Sequence, residues 1–261
     1  MTLSTDAIPA PARALLVPAR FNGPPASGNG GWTAGALAAL IASSVGPTVT
    51  VRLQQPPPLG TAMALQADDG WTVALRDGAP VARARAGDAD LTPVPGVAFA
   101  QARAAEPGYA GHREHPFPTC FSCGVDREPG DGLRIFPGPV AAVEGRSRVA
   151  ATWTPQPGVA GEGDRATRQA TAPVTAPVTW AALDCVSAWA CDLTGRPMVL
   201  GQMTARLDAL PEVGAGHVVV GEHRGDEGRR TSTASSLYDA SGRLLATAEH
   251  VWVAVDPDAF R

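Results

Sequence analysis

Asp184 is the one acidic side chain in an otherwise uncharged run, Val178-Thr179-Trp180-Ala181-Ala182-Leu183-Asp184-Cys185-Val186-Ser187-Ala188-Trp189-Ala190. That run reads as a helix apolar almost all round, and such a helix is normally buried. A lone ionised carboxylate in apolar surroundings either finds partners or shifts its pKa. Asp184 is therefore either a buried acid bonded into the fold or a general base or nucleophile. Ser187, one turn further on, stands within reach of the acid or of a water, or is simply a small packing residue. A second apolar segment opens on Gly30-Gly31, preceded by Asn29. Unsatisfied N–H groups at a helix start stabilise developing negative charge. Glycines also make plain turns, and Asn is also an ordinary helix cap.

Thiols offer further chemistry. The spacing His112-x2-His115-x4-Cys120-x2-Cys123 meets a zinc ligand count. Cys185 adjoins Asp184, but all five histidines lie elsewhere in sequence, and a buried free cysteine usually acts as a small apolar residue. Four cysteines in a chain this long do not describe a disulfide scaffold, so reduced thiols are expected.

Composition removes several classes of function. A formal charge of −4 and a pI near 5.7 give no broad electrostatic reason to bind nucleic acid. All 21 Lys-plus-Arg residues are arginine, which excludes lysine Schiff bases, pyridoxal phosphate attachment and a phosphate-loop lysine. No run approaches the roughly 18 apolar residues of a membrane span. Residues 1–10 have neither a basic start nor a long apolar centre, so a cytoplasmic location is expected. Motifs of dinucleotide enzymes, α/β-hydrolases and common zinc peptidases do not occur.

An internal duplication organises these residues. Thr50, Arg52, Leu53, Pro57 and Gly60 recur as Thr204, Arg206, Leu207, Pro211 and Gly214, each displaced by 154 positions. Upstream, Ala36-Leu37 in a candidate helix at 33–44 matches Ala182-Leu183 in the helix at 178–190. Each copy reads as a leading strand, one buried helix and a run of strands. In the first copy the strands are expected at 48–55, 61–66, 71–76 and 80–86, with hairpin turns at Asp68-Asp69-Gly70 and Asp77-Gly78. In the second they fall near 148–153, 199–210, 217–223, 231–238 and 244–255. Such an order packs as an antiparallel sheet wrapped around one helix, an α+β fold, twice over. The expected division is a first unit at 1–90, a linker at 91–119 and a second unit at 120–261, with a further irregular stretch at 155–175.

Cys120-Phe121-Ser122-Cys123-Gly124 followed by Gly132-Leu133-Arg134-Ile135-Phe136, together with Gly30-Gly31, Ala182-Leu183-Asp184 and the duplication, resembles the hotdog-fold acyl-CoA thioesterases. The likeness is to a tandem double hotdog related to the phenylacetic-acid-pathway thioesterases. It implies a site at the seam of two hotdog units, where one helix N-terminus polarises a thioester carbonyl and a carboxylate from the other helix activates water or attacks. It also implies that the Cys-x2-Cys turn is structural, with no metal, and that a coenzyme A thioester is substrate rather than cofactor.

Carried onto this chain, the pattern is lopsided. Asn29-Gly30-Gly31 fills the opening of the first copy, but nine residues after Asn29 stands Ala38, and no Asp or Glu occurs in 7–67. The second copy has Asp184, but its opening is Thr175-Ala176-Pro177, and Pro177 has no N–H. One composite site follows, made of Asn29, Gly30, Gly31 and Asp184 with Ser187 nearby, acting on an acyl-CoA or acyl-carrier-protein thioester. Two other readings stay open: a hotdog dehydratase or hydratase, and a non-catalytic acyl-thioester binder. Nucleic acid and membrane partners are not expected, and association of two chains into a homodimer is left open.

Overall fold

The computed structural model describes residues 13–159, 173–256 and 258. Residues 160–172, most of the irregular stretch expected at 155–175, lie outside the described residues, as does the N-terminal run 1–12. The first copy comprises β1 (Ala14–Leu15), α1 (Gly30–Ile41), β2 (Thr48–Leu53), β3 (Met63–Asp68), β4 (Trp71–Arg76) and β5 (Ala79–Gly87). Then come α2 (Phe99–Ala105), β6 (Gly138–Val143), β7 (Arg146–Trp153), α3 (Ala176–Ala188), β8 (Met198–Leu207), β9 (His217–Glu227), β10 (Arg230–Asp239) and β11 (Leu244–Ala254).

Among the described residues the strands form one sheet of 11, ordered β1-β3-β4-β5-β2-β8-β11-β10-β9-β7-β6, with every pairing antiparallel. The two copies meet at β2 and β8, where Thr50 lies opposite Thr204, its own repeat, and their hydroxyls are 3.0 Å apart. Val49 opposite Ala205 and Arg52 opposite Gln202 keep that register symmetric about residue 50. The turns behave as their residues require. Asp69-Gly70 and Asp77-Gly78 all have positive φ, the backbone of a type I′ hairpin.

Both long helices sit against the sheet and against each other. A Cβ on Gly31 would meet Asp184 and Trp180, and one on Gly35 would meet Trp180 and Pro177, so α1 and α3 run antiparallel in close contact. Glycine at both places lets the backbones approach. Helix α1 starts three residues before the expected segment, because Asn29 caps it. Helix α3 begins at Ala176 with Pro177 in its first turn, where the missing N–H costs no helical bond.

The stretch expected as a linker, 91–119, carries α2 and packs against the sheet. Val94 and Ala102 of this stretch join Ala150, Val218, Val220 and Ala234 in a second small core on the face of the β7–β9–β10 sheet. Its alanine-rich composition is that of a short helix with one buried stripe. No helix among the described residues is long and apolar enough to cross a membrane.

Candidate active site

Asp184 lies on α3, only 2% exposed, and its Oδ2 accepts the Gly31 N–H at 2.8 Å. The carboxylate of the second copy thus meets the glycine opening of the first. Burial pushes its pKa up to about 7, against the pull of the Gly31 amide and the Asn29 side chain. Its other oxygen, Oδ1, is buried and without a hydrogen-bond partner.

Asn29 is 1% exposed and is fixed at both ends of its amide. Oδ1 accepts the Trp32 N–H at 2.8 Å as the cap of α1, while Nδ2 donates to Ser122 Oγ at 3.2 Å and faces Cys120 Sγ at 3.6 Å. Ser122 Oγ in turn donates to the Ala181 carbonyl of α3 at 2.8 Å. The Cys120–Gly124 turn therefore ties the start of α1 to α3. It is itself anchored, since Phe121 N–H donates to the Asn22 carbonyl and the Phe121 ring packs edge-on against Phe21.

A cavity of about 280 Å³ opens onto this arrangement, with Asn29, Gly30 and Asp184 in its wall. The rest of the wall is largely apolar, including Leu53, Met198, Leu200 and Val253, with Gln54 and Gln55 as polar groups. An apolar hollow with a few convergent polar groups is the usual form of a small-molecule site.

The five residues expected at the site divide by role. Gly30 lines the cavity, and its N–H takes no partner among the described residues. The Gly31 N–H is occupied by Asp184, and this residue positions the acid. Asn29 holds the opening in shape. The Ser187 hydroxyl donates to the main-chain carbonyl of Asp184 at 3.1 Å and accepts from Thr233 at 2.8 Å. The i to i−3 reach of a serine on a helix turns it onto its own backbone.

Three cysteines converge beside Asp184. Cys120 and Cys185 bring their sulfurs to 3.7 Å, and Cys123 completes a group whose sulfurs all lie within 4.8 Å of one another. Hydrogen bonding from its two neighbours holds the Cys120 thiol low, while Cys123 and Cys185 are pushed up. His112 and His115, which complete the zinc-like spacing in sequence, do not join this group. His115 accepts the Phe117 N–H at Nδ1 and bonds the Cys123 carbonyl through Nε2, and burial lowers its pKa. His112 is exposed and packs on Tyr109 and Phe136. Ser122 and Cys185 were not separable from packing residues by sequence, because their partners lie 59 and 65 residues away.

The fold is the hotdog fold. A hotdog protein of unknown function from Alicyclobacillus acidocaldarius aligns with a TM-score of 0.53 at 13% identity, covering 92% of each chain. A Novosphingobium aromaticivorans protein classed provisionally as a thioesterase aligns at 0.58 with 15% identity, over 96% of this chain and all 100% of that one. The acyl-CoA thioesterase II of Mycobacterium marinum aligns at 0.50 with 10% identity, over 88% and 91%. No protein-family model and no curated protein matches the sequence.

Proposed function

We propose that the chain is a tandem double hotdog, with units 1–90 and 120–261, that hydrolyses an acyl thioester at one composite site between them. The observation that carries this reading is the 2.8 Å bond from the Gly31 amide to Asp184, made across the two repeats in the wall of an apolar cavity. The acyl chain lies against Leu53, Met198, Leu200 and Val253. Asp184 takes a proton from water as the water attacks the thioester carbonyl, the Gly30 N–H receives the developing oxyanion, and the tetrahedral intermediate then expels the thiolate, which takes up the proton from Asp184. The leaving thiol belongs to coenzyme A or to a carrier-protein arm, and no bound cofactor is needed. The thioesterase names carried by structural neighbours support the class, and a cytoplasmic location fits it.

Exchange of Asp184→Asn tests the mechanism, because it removes the base at nearly constant volume. Hydrolysis of an acyl-CoA panel is expected to fall by at least about 100-fold. Near-normal turnover by a folded variant rejects the proposal.

One observation favours a second reading, a non-catalytic acyl-thioester binder: Asp184 itself takes up the amide that would otherwise join Gly30 as an oxyanion donor. Tight binding of acyl-CoA without turnover across the panel would support it. The hydratase reading gains nothing, since His115 lines the cavity with both ring nitrogens engaged elsewhere.

A further inference from the structure

We propose that Cys120, Cys123 and Cys185 form a zinc site with three thiolate ligands and a fourth position open to the cavity. Two thiolates on a tetrahedral zinc, each about 2.3 Å from the metal, stand about 3.8 Å apart. Cys120 and Cys185 already stand 3.7 Å apart, and drawing in Cys123 from within 4.8 Å takes a movement of no more than about 1 Å. That spacing is far from the roughly 2 Å of a disulfide.

The turn is built as ligand turns are. Cys-x2-Cys places two sulfurs on one side of a single loop, and the Gly124 N–H closes it on the Cys120 carbonyl at 2.8 Å. A Cβ at Gly124 would fall 2.5 Å from that same carbonyl oxygen, so only glycine fits there. The third sulfur comes from α3, a separate element, and thus joins the loop to the helix that carries Asp184.

Supporting groups surround the sulfurs. The Asn29 amide nitrogen, besides donating to Ser122 Oγ, stands within donor range of Cys120 Sγ at 3.6 Å and Cys185 Sγ at 3.9 Å. The Cys123 carbonyl takes the Tyr109 hydroxyl at 3.0 Å and meets His115 Nε2 at 3.2 Å, which pins the loop. Outer contacts of this kind orient ligands in metal sites. They also remove His115 as a fourth ligand.

Charge selects the metal. Three thiolates with a divalent ion leave a single negative charge facing the N-terminus of α1, whereas a monovalent soft ion leaves two in a buried apolar place. All three cysteines line the cavity, so the fourth position falls to water or to a small-molecule thiolate.

The test is metal binding by the whole reduced chain, read without reference to turnover. After treatment with a chelator, the protein is titrated with zinc against a colorimetric competitor, then with cobalt(II) followed by absorption. One zinc per chain and sulfur-to-cobalt charge-transfer bands are expected. Cys123→Ser should weaken binding by more than about 100-fold, beyond the loss caused by an outer contact alone. Cys191→Ser, outside the cluster, should leave it unchanged. Substoichiometric zinc, or cobalt spectra without thiolate bands, overturns the site in the unaltered protein whether or not the variants fold. Equal affinity in Cys123→Ser overturns it as well. Because the readout is metal rather than hydrolysis, a failed site and a failed thioesterase assignment are told apart.

Discussion

A Cβ on Gly31 would stand 2.5 Å from the Cβ of Asp184, so the two helices touch through the side chain that glycine lacks. The Trp180 carbonyl oxygen, at 2.8 Å, closes the other side. Helix backbone flanks the space, and it cannot move aside cheaply.

Gly31→Ala is therefore expected to lower folding stability by about 1–3 kcal/mol through overpacking. Displacing the acid should also cost roughly 100-fold in hydrolysis. Chemical denaturation and acyl-CoA turnover measure the two. Gly87→Ala, with nothing within 4 Å of its added Cβ, serves as the comparison, and its stability should stay within about 0.5 kcal/mol of the parent. Equal behaviour of the two variants would mean that the helices are not in close contact.

Ser187→Ala separates support from chemistry. Thr233 Oγ1 donates to Ser187 at 2.8 Å, and the Trp252 indole N–H reaches both hydroxyls, at 2.9 Å and 3.3 Å. Losing the serine oxygen leaves the buried Thr233 hydroxyl without its acceptor. A destabilisation of about 1–3 kcal/mol is expected, with kcat changed less than about tenfold. A drop of 100-fold or so in kcat at unchanged KM would return Ser187 to the reaction.

Much of this architecture was readable because it rests on local pattern. The Asp-Gly turns, the alternating strands and the repeat spacing of 154 located β2 to β5 and β7 to β11 to within a few residues. The repeat also paired Asp184 with the Asn29-Gly30-Gly31 opening, since each copy supplies what the other lacks. Strand β6 escaped because its hairpin turns on Glu144-Gly145, which takes the same positive φ pair without a usual turn dipeptide. That Asp184 takes the Gly31 amide escaped too, because it depends on which amide points across the helix contact. The joining of Cys185 to Cys120 is a tertiary contact that no spacing rule encodes.

Ala38 provides a negative test of the single-site reading. It occupies in α1 the place that Asp184 holds in α3 and is 5% exposed, and the opening of α3 has Pro177 where that of α1 has Gly31. Proline has no N–H to hold a carboxylate. In an Asp184→Asn background, Ala38→Asp should restore no hydrolysis, and the unpaired buried acid should cost several kcal/mol in stability near neutral pH. Recovered turnover in the double variant would show that the second seam is competent after all.

His250 should set the acid limit of the fold. It lies on β11, 2% exposed, opposite Thr233 and Met203, and burial drives its pKa down to about 3. In the unfolded chain its pKa is about 6.5. Above that value both states carry a neutral ring and nothing is lost. As pH falls below it, the unfolded chain binds a proton that the folded chain refuses, so stability drops until the folded pKa is reached. Between about pH 8 and pH 5 this amounts to about 2 kcal/mol. Asp184 acts with the opposite sign, because its raised pKa contributes stability that is lost as pH rises toward 7. That contribution is common to the parent and to His250→Leu, so it cancels in their difference. Urea unfolding of both proteins at the two pH values should show His250→Leu losing about 2 kcal/mol less on acidification, and equal losses would place the acid sensitivity elsewhere.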